Sequence, residues 1–307
     1  MFLTMTPILI TGATGSTGRT TIKYLLQKGL SVRAFVHKED DRSRQLEAQG
    51  AEVVVGNLLD LRSVRRAFKD VKRAYFVYPV QPGLIEVTTI FAQAAKEAKA
   101  EYIVNMSQIV ARSEVPSNAS LNHWLSERVF DWAGTPVTHL QPTIFHEWLV
   151  YAGKVDEDRF AVPFSPTGKF ASVSTDDIGE LTATLLENPA GHEGQSYPLA
   201  GPTELTPPEI ADVLSKHLGR KIRFEQVKAS VLIRSFSPVD IPYLEQHFDT
   251  AGEMHRDGLM AGTNDLFEKI IGHPPQSTDE FVAQNKSIWE NNGEEFTVHN
   301  KSSWKKE

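Results

Sequence analysis

The 307 residues carry 32 Lys and Arg against 39 Asp and Glu, a net charge of −7, with 40% hydrophobic and 23% charged side chains. That composition is globular, excludes a disordered or collagen-like chain, and opposes a broad basic surface for nucleic acid. No cysteine is present, so disulfides, thiolate metal sites and cysteine nucleophiles are excluded, and a reducing cytoplasm is expected.

Met1 to Gly18 has no charged side chain, but Thr4, Thr6, Thr11, Gly12 and Gly15 interrupt its apolar residues and the first cation is Arg19. A signal peptide needs a basic start and an unbroken apolar stretch. No window approaches the roughly 18 apolar residues of a membrane span. The expectation is a soluble, cytoplasmic protein without membrane attachment.

In chain order, Ile8-Leu9-Ile10 reads as a strand, and Thr20 to Gln27 as a helix stopped by Gly29. Val32 to Val36 is the second strand, followed by a helix ending at Gly50. Val53 to Val55 is the third strand, and Leu61, Val64, Phe68 and Val71 then fall at helical spacing. Ala74 to Val77, Tyr102 to Val104 and Val137 to Leu140 read as further strands. Between them Ile85 to Ala98 and Leu121 to Trp132 read as helices. Strands alternating with helices at this rhythm predict an α/β fold, a doubly wound parallel (Rossmann) sheet with helices on both faces.

After about Trp148, Pro163, Pro166, Gly168, Pro189, Gly191 and Gly194 cut the chain into shorter pieces. Asp176 to Leu186 is a helix with Ser174 or Thr175 as cap. Glu209 to Leu218 is another, entered through Pro207-Pro208 and closed by Gly219. The expected division is a dinucleotide-binding domain over 1–155, a smaller C-terminal α/β lobe over 156–290, and a polar tail over 291–307.

The chemistry concentrates in Thr11-Gly12-Ala13-Thr14-Gly15-Ser16-Thr17-Gly18, between the first strand and the first helix. In this turn Gly12 permits the bend, Gly15 lets a pyrophosphate approach the backbone, and Gly18 lets helix and strand pack closely. The helix that follows aims its free N–H groups and positive dipole end at the phosphates. Gly12, Thr14, Gly15, Ser16, Thr17 and Gly18 are therefore candidate cofactor-binding residues.

The second strand ends Val36-His37-Lys38, with Arg42 and Arg44 beyond. An acidic residue there would select the free ribose of NAD, whereas His37, Lys38 and Arg42 suit a 2′-phosphate. NADP(H) is the expected cofactor. Glu39, Asp40 and Asp41 interrupt the cluster and leave NAD(H) open. Asn57 and Leu58, after the third strand, are placed to meet the adenine. Tyr78, Pro79 and Pro142, at later strand ends, complete the candidate cofactor set.

These residues resemble the NmrA-like family of atypical short-chain dehydrogenases/reductases. The resemblance runs from Ile8 to about Val227. It rests on the glycine turn, on Gln49-Gly50-Ala51-Glu52-Val53-Val54 running into Gly56-Asn57-Leu58-Leu59-Asp60, and on Gln141-Pro142-Thr143-Ile144-Phe145. Val173-Ser174-Thr175-Asp176-Asp177-Ile178 and Tyr197-Pro198-Leu199-Ala200-Gly201-Pro202 are similar to the family's substrate-lobe segments. The family contains NAD(P)H-dependent quinone and dye reductases, and also non-catalytic redox sensors that bind partner proteins.

Enzymes of the wider superfamily carry Tyr-x-x-x-Lys, the Tyr as general acid and the Lys holding the ribose. Here His123 stands at the Lys position and Ala119 at the Tyr position. Ser107, ending the fifth strand, matches the superfamily's serine. The resemblance thus implies His123 and Ser107 as candidate catalytic residues without the usual proton donor. Quinone reduction tolerates that loss, because hydride addition gives a stabilised oxyanion that solvent can protonate. A helix histidine satisfied by a backbone carbonyl is the plainer alternative for His123.

No His-x-x-x-His or Glu-x-x-His pair occurs, so no metal site is expected, and no G-x-S-x-G elbow suggests a hydrolase. Arg62, Arg65, Arg66, Lys69, Lys72 and Arg73 form a basic run, read as a solvated face, with docking of an acidic partner as the alternative. Phe145, Trp148, Tyr151 and Phe164 follow the sixth strand, where core packing competes with an aromatic slot for a planar substrate. The expected function is NADPH-dependent hydride transfer to a quinone-like or conjugated acceptor. The alternative is a non-catalytic NADP(H) redox sensor acting on a regulatory protein partner, and a homodimer is compatible with either.

Overall fold

The computed structural model describes residues 6–152 and 158–290 and, of Tyr151, the backbone only. The boundary expected at 155/156, Gly153 beside it, and the tail from 291 fall outside those residues. The elements run β1 (Ile8–Ile10), α1 (Ser16–Gln27), β2 (Val32–Val36), α2 (Asp41–Ala48), β3 (Glu52–Val55) and α3 (Leu61–Ala67). Next come β4 (Arg73–Phe76), α4 (Leu84–Glu97), β5 (Tyr102–Met106), α5 (Asn118–Ala133) and β6 (Val137–Pro142). Then follow α6 (Trp148–Ala152), β7 (Arg159–Val162), α7 (Thr175–Glu187), β8 (Ser196–Leu199), α8 (Pro207–Leu218) and β9 (Arg223–Gln226). The chain closes with α9 (Ala229–Phe236), α10 (Pro242–Arg256), α11 (Leu266–Ile271), α12 (Thr278–Gln284) and α13 (Lys286–Glu290).

Seven strands form one sheet in the order β3-β2-β1-β4-β5-β6-β8. The first six pair in parallel. The bonds His139 N–H to Gln195 O and Thr143 N–H to Leu199 O advance in step, so β8 is parallel as well. The central strands β1 and β5 are buried along their whole length, as a parallel sheet covered on both faces requires. Edge strand β3 is exposed or half-exposed throughout. Strand order reverses between β1 and β4, which opens a crevice outside their carboxyl ends.

Contacts divide the chain into two compact units. The first spans Met1–Ser113, Leu121–Gln141 and Thr175–Pro198, and the second spans Glu114–Ser120, Pro142–Ser174 and Leu199–Glu307. The chain crosses between units more than once, so α7 and most of β8 join the first unit although they lie beyond residue 155. Two interactions account for this. Strand β8 extends the sheet beside β6, and α7 is clamped onto α1. Gly179 allows that approach, since a Cβ there would lie 2.3 Å from Thr20 Oγ1. Thr20 Oγ1 donates to Thr175 O at 2.8 Å, and Lys23 and Tyr24 both reach Asp176 at 2.7 Å.

The other face of the sheet is covered by α3, α4 and α5. Phe76 packs against Phe91 and Phe130 at ring separations of 4.8 and 5.2 Å, and Phe68 against Phe91 at 4.9 Å. In the second unit β7 and β9 pair in parallel. Helix α8 starts with a capping box between Thr206 and Glu209, carries Pro207-Pro208 in its first turn, and ends at left-handed Gly219. Helix α1 begins at Ser16 rather than Thr20, because Gly15 is its N-cap. Helix α5 begins at Asn118, before the expected Leu121.

Candidate functional site

The glycine turn leaves β1 at its carboxyl end, beside the reversal of strand order. Gly12 has φ +54°, and a Cβ on it would lie 2.6 Å from Val77 Cγ1. A Cβ on Gly18 would lie 2.3 Å from the Gly12 carbonyl oxygen and 3.0 Å from Ala13 Cα. Gly12 and Gly18 are therefore required by the turn's own packing. Gly15 differs: the nearest neighbour of a Cβ there would be Gly12 O at 3.1 Å, and among the described residues no side chain beyond those of its chain neighbours lies within 4 Å of it. Its open side lies at the start of α1, and as N-cap it supplies no side-chain hydrogen bond to the first-turn amides. Open amides at the positive end of a helix suit a phosphate. Thr14 and Ser16 are half-exposed beside it.

Two buried hydroxyls hold the turn. Thr11 Oγ1 accepts from Val77 N–H at 2.8 Å. Tyr75 on β4 donates to Thr17 Oγ1 on α1 at 3.0 Å, and burial pushes the Tyr75 hydroxyl well above its ordinary pKa. Thr17 thus has a partner inside the protein, while its neighbours Thr14 and Ser16 face outward. Sequence reading missed Tyr75 because it sits in an apolar run.

Beyond β2, His37 and Lys38 are exposed. Arg42 is bound by Asp40, Nη2 to Oδ2 at 2.6 Å and Nε to Oδ2 at 3.1 Å. Asp40 also N-caps α2, and its carboxyl lies below its usual range, first through Arg42 and then through the cap bonds. Arg44 pairs with Asp41. The acids that interrupt this cluster in sequence are its partners in space. After β3, Asn57 is exposed and closes a short turn by accepting from Leu59 N–H at 2.9 Å, while Leu58 packs on the α3–α4 core. Tyr78 accepts from Gln81 Nε2 at 2.8 Å, and Pro79 is exposed. Pro142, the last residue of β6, is buried and belongs to the second unit.

Ser107 follows β5 and continues its ladder by donating its N–H to Leu140 O at 2.7 Å. Its hydroxyl is buried with no hydrogen-bond partner among the described residues. His123 is buried on α5, as is Ala119, which offers no hydroxyl where the superfamily's tyrosine would stand. Five residues that sequence reading did not single out form hydrogen bonds between β5, β6 and α5. His139 accepts from the Asn105 side-chain amide at Nδ1, 3.0 Å, and meets Asp131 at Nε2, 3.1 Å. Gln141 Nε2 donates to buried Glu127 at 2.9 Å. The available signal was the spacing His123, Glu127, Asp131, four residues apart along one helix face.

The aromatic set lies in the second unit. Phe145 is half-buried and bridges Val173 through the backbone. Trp148 packs edge-on against Phe236 and Phe248 at 5.7 and 5.2 Å, and Phe164 packs on Phe170 and His255. Tyr151's side chain falls outside the described residues. The basic run is largely engaged. Arg65 makes a two-pronged contact with Glu97 at 2.6 and 2.7 Å, and Arg73 caps the end of α7 through Leu186 O and Glu187 O. These pairings favour the solvated-face reading.

Comparison with known proteins agrees with this architecture. The NAD(P)H azoreductase of Xenophilus azovorans is 28% identical over 289 residues, which cover 92% of this chain and 99% of that one. The structure of an NADPH-dependent quinone oxidoreductase from Escherichia coli, complexed with NADPH, superposes with a TM-score of 0.79. It is 24% identical and covers 90% of this chain and 99% of its own. The negative transcriptional regulator NmrA superposes at 0.75 with 20% identity, covering 94% of this chain and 98% of its own. These two structures share the fold. The sequence matches the NmrA-like family over residues 4–279, nearly the whole of what the structure describes, and the chain belongs to that family.

Proposed function

We propose that this protein is an NADPH-dependent reductase that passes hydride to a quinone-like or otherwise conjugated acceptor. The observation that carries the reading is the division of labour among the three glycines. Gly12 and Gly18 are required by packing, whereas Gly15 leaves its side of the turn open at the head of α1. That is the cradle a pyrophosphate needs. In this reading the α1 amides and Ser16 hold the diphosphate. His37, Lys38 and Arg42 meet the 2′-phosphate, and Asn57 and Leu58 meet the adenine. NADPH, when bound, supplies the hydride.

An azoreductase relative covering almost the full chain supports a conjugated acceptor. So does Ala119, because an acceptor whose reduced form is a delocalised anion needs no tyrosine acid. Buried His123 and Ser107 are the polar groups left to orient the acceptor or the nicotinamide ribose, with Phe145, Trp148 and Tyr151 proposed as aromatic lining. The second reading, a sensor of the NADP(H) ratio, is favoured by the same missing acid.

The test is oxidation of NADPH by the purified protein with a panel of quinones, azo dyes and enones. The expected result is turnover with at least one class, and a lowered but persistent rate in His123→Ala. Tight NADPH binding with no turnover across the panel would transfer the assignment to the sensor.

A further inference from the structure

The parallel register sorts the α5-facing side chains of β4, β5 and β6 into rows. Ala74, Ile103 and Val137 form an apolar row, and Phe76, Asn105 and His139 form the next row toward the carboxyl ends. Side chains alternate with period two, so Ser107 and Gln141 continue the same face one step further. Polarity therefore rises along the strands toward the end where the glycine turn lies. A buried, directional chain of polar groups is costly unless each member is matched.

The bonding fixes the chemistry of this chain. An amide nitrogen cannot accept, so the Asn105 Nδ2 to His139 Nδ1 contact makes Nδ1 the bare nitrogen. The imidazole proton then sits on Nε2, where Asp131 accepts it at 3.1 Å. Asp131 also holds Arg128 at 3.0 Å, and its side chain is 39% exposed. With one Nδ2 hydrogen committed, Asn105 keeps its second N–H and Oδ1. That oxygen and the Ser107 hydroxyl are both buried without a partner among the described residues. Asn105 and Ser107 are 1% and 4% exposed, the first on β5 and the second one residue past its end. Buried polar atoms left unmet are destabilising, so a partner is expected for each. Side chains two positions apart on a strand start about 6.6 Å from one another, a span that one water bridges with a bond to each.

We infer that Asp131, His139 and Asn105 form a positioning line for Ser107, closed by one internal water between Asn105 Oδ1 and Ser107 Oγ. The carboxylate selects the tautomer, the tautomer orients the amide, and the amide oxygen accepts a hydrogen bond from the water. The water's oxygen then accepts from Ser107, whose lone pairs are left facing the bound ligand. None of the three positioning residues touches substrate. The functional half of this inference rests on the reductase reading; the tautomer and the water do not.

Nitrogen-15 NMR of the histidine rings in the intact protein tests the line directly. His139 should show Nδ1 bare and its proton on Nε2, and Asp131→Asn should mix its tautomers. An imidazolium, the opposite tautomer, or no change in Asp131→Asn overturns the inference. A high-resolution crystal structure should show a water bonded to both oxygens, and a dry gap there overturns the closure. In the reductase assay Asp131→Asn should lower kcat about tenfold with the NADPH Kd unchanged, and Asp131→Glu should recover most of the loss. In a Ser107→Ala background the Asp131→Asn penalty should vanish, and an undiminished penalty refutes action through Ser107. If the wild-type protein turns over no acceptor, the reductase reading falls. The NMR and crystallographic arms then decide the positioning line by themselves.

Discussion

Buried polar side chains are handled differently in the two units. In the first, Thr11, Thr17, Tyr75, Asn105 and His139 each bond across secondary-structure elements, so each hydrogen bond fixes a direction. In the second, buried histidines are held largely by rings. His146 stacks on Phe281 at 4.9 Å and has Thr278 Oγ1 at 3.1 Å on one nitrogen, and His255 sits 5.1 and 4.9 Å from Phe164 and Phe170 with neither nitrogen hydrogen-bonded among the described residues. His247 has Ser117 at 3.0 Å on one nitrogen. The first arrangement aims groups, whereas the second excludes water and keeps an imidazole neutral. One should fail when geometry changes, the other when protons are added.

Acid is the strongest way to separate them. Burial lowers the pKa of His146 to about 3 and of His247 and His255 to about 4. In the unfolded chain the same groups titrate near 6.5. Above that pH both states are neutral and the histidines contribute no pH dependence. Below it the unfolded chain takes up protons that the folded chain refuses, so stability falls from about pH 6.5 down to about pH 4. The slope is about 1.4 kcal/mol per pH unit for each histidine, reached when the unfolded group is fully charged. Urea titrations at pH 7 and pH 5 should show the loss, and His255→Phe should reduce the slope. A flat profile would mean that these rings find protons or water in the folded state.

The glycine turn breaks through geometry. Gly18→Ala places a methyl 2.3 Å from the Gly12 carbonyl, so backbone must move, at a cost of roughly 1–3 kcal/mol and with loss of the cradle. Gly15→Val brings its Cβ to 3.1 Å from Gly12 O, a tight contact that a small shift of the turn must relieve, so thermal stability should fall less than in Gly18→Ala. Its branched side chain fills the open side, so NADPH affinity should fall about a hundredfold or more, beyond one charge-assisted bond. Calorimetric melting with cofactor titration checks both. Unchanged NADPH binding in a folded Gly15→Val protein would place the phosphates elsewhere.

What could be read from the sequence follows the same physical line. The turn was legible because its contacts are local and glycine has few other reasons to recur at positions 12, 15 and 18. The alternating elements through β6 were legible because buried parallel strands are uninterrupted apolar runs. The line from Asp131 to Ser107 was not, since it joins residues 34 positions apart whose partners depend on strand register. Asn105 and His139 each read alone as ordinary buried polar residues. Helices α9 to α13 and strands β7 and β9 were equally hidden, being short and bounded by tertiary contact rather than by period. Arg42 was singled out for its charge, and the interrupting acids were legible beside it, but which of them holds it depends on the cap geometry of α2, where Asp40 binds it.

That pair carries the smallest predicted effect and the sharpest sign. Arg42 is proposed to meet the 2′-phosphate, yet Asp40 binds it through two nitrogens, and the exposed Lys38 nearby is the freer cation. A 2′-phosphate must then draw Arg42 away from a carboxylate, which weakens the preference for NADPH over NADH. Asp40→Asn keeps the α2 cap, because asparagine caps as well as aspartate, and removes the charge that restrains Arg42. A partly exposed pair of this kind is worth about 0–1 kcal/mol. NADPH affinity in Asp40→Asn should therefore rise up to about fivefold, with NADH affinity unchanged. Arg42→Ala should move NADPH affinity the other way, again without effect on NADH. Parallel fluorescence titrations with the two nucleotides measure both variants. Equal shifts for NADPH and NADH would show that this corner feels the dinucleotide as a whole and not its 2′-phosphate.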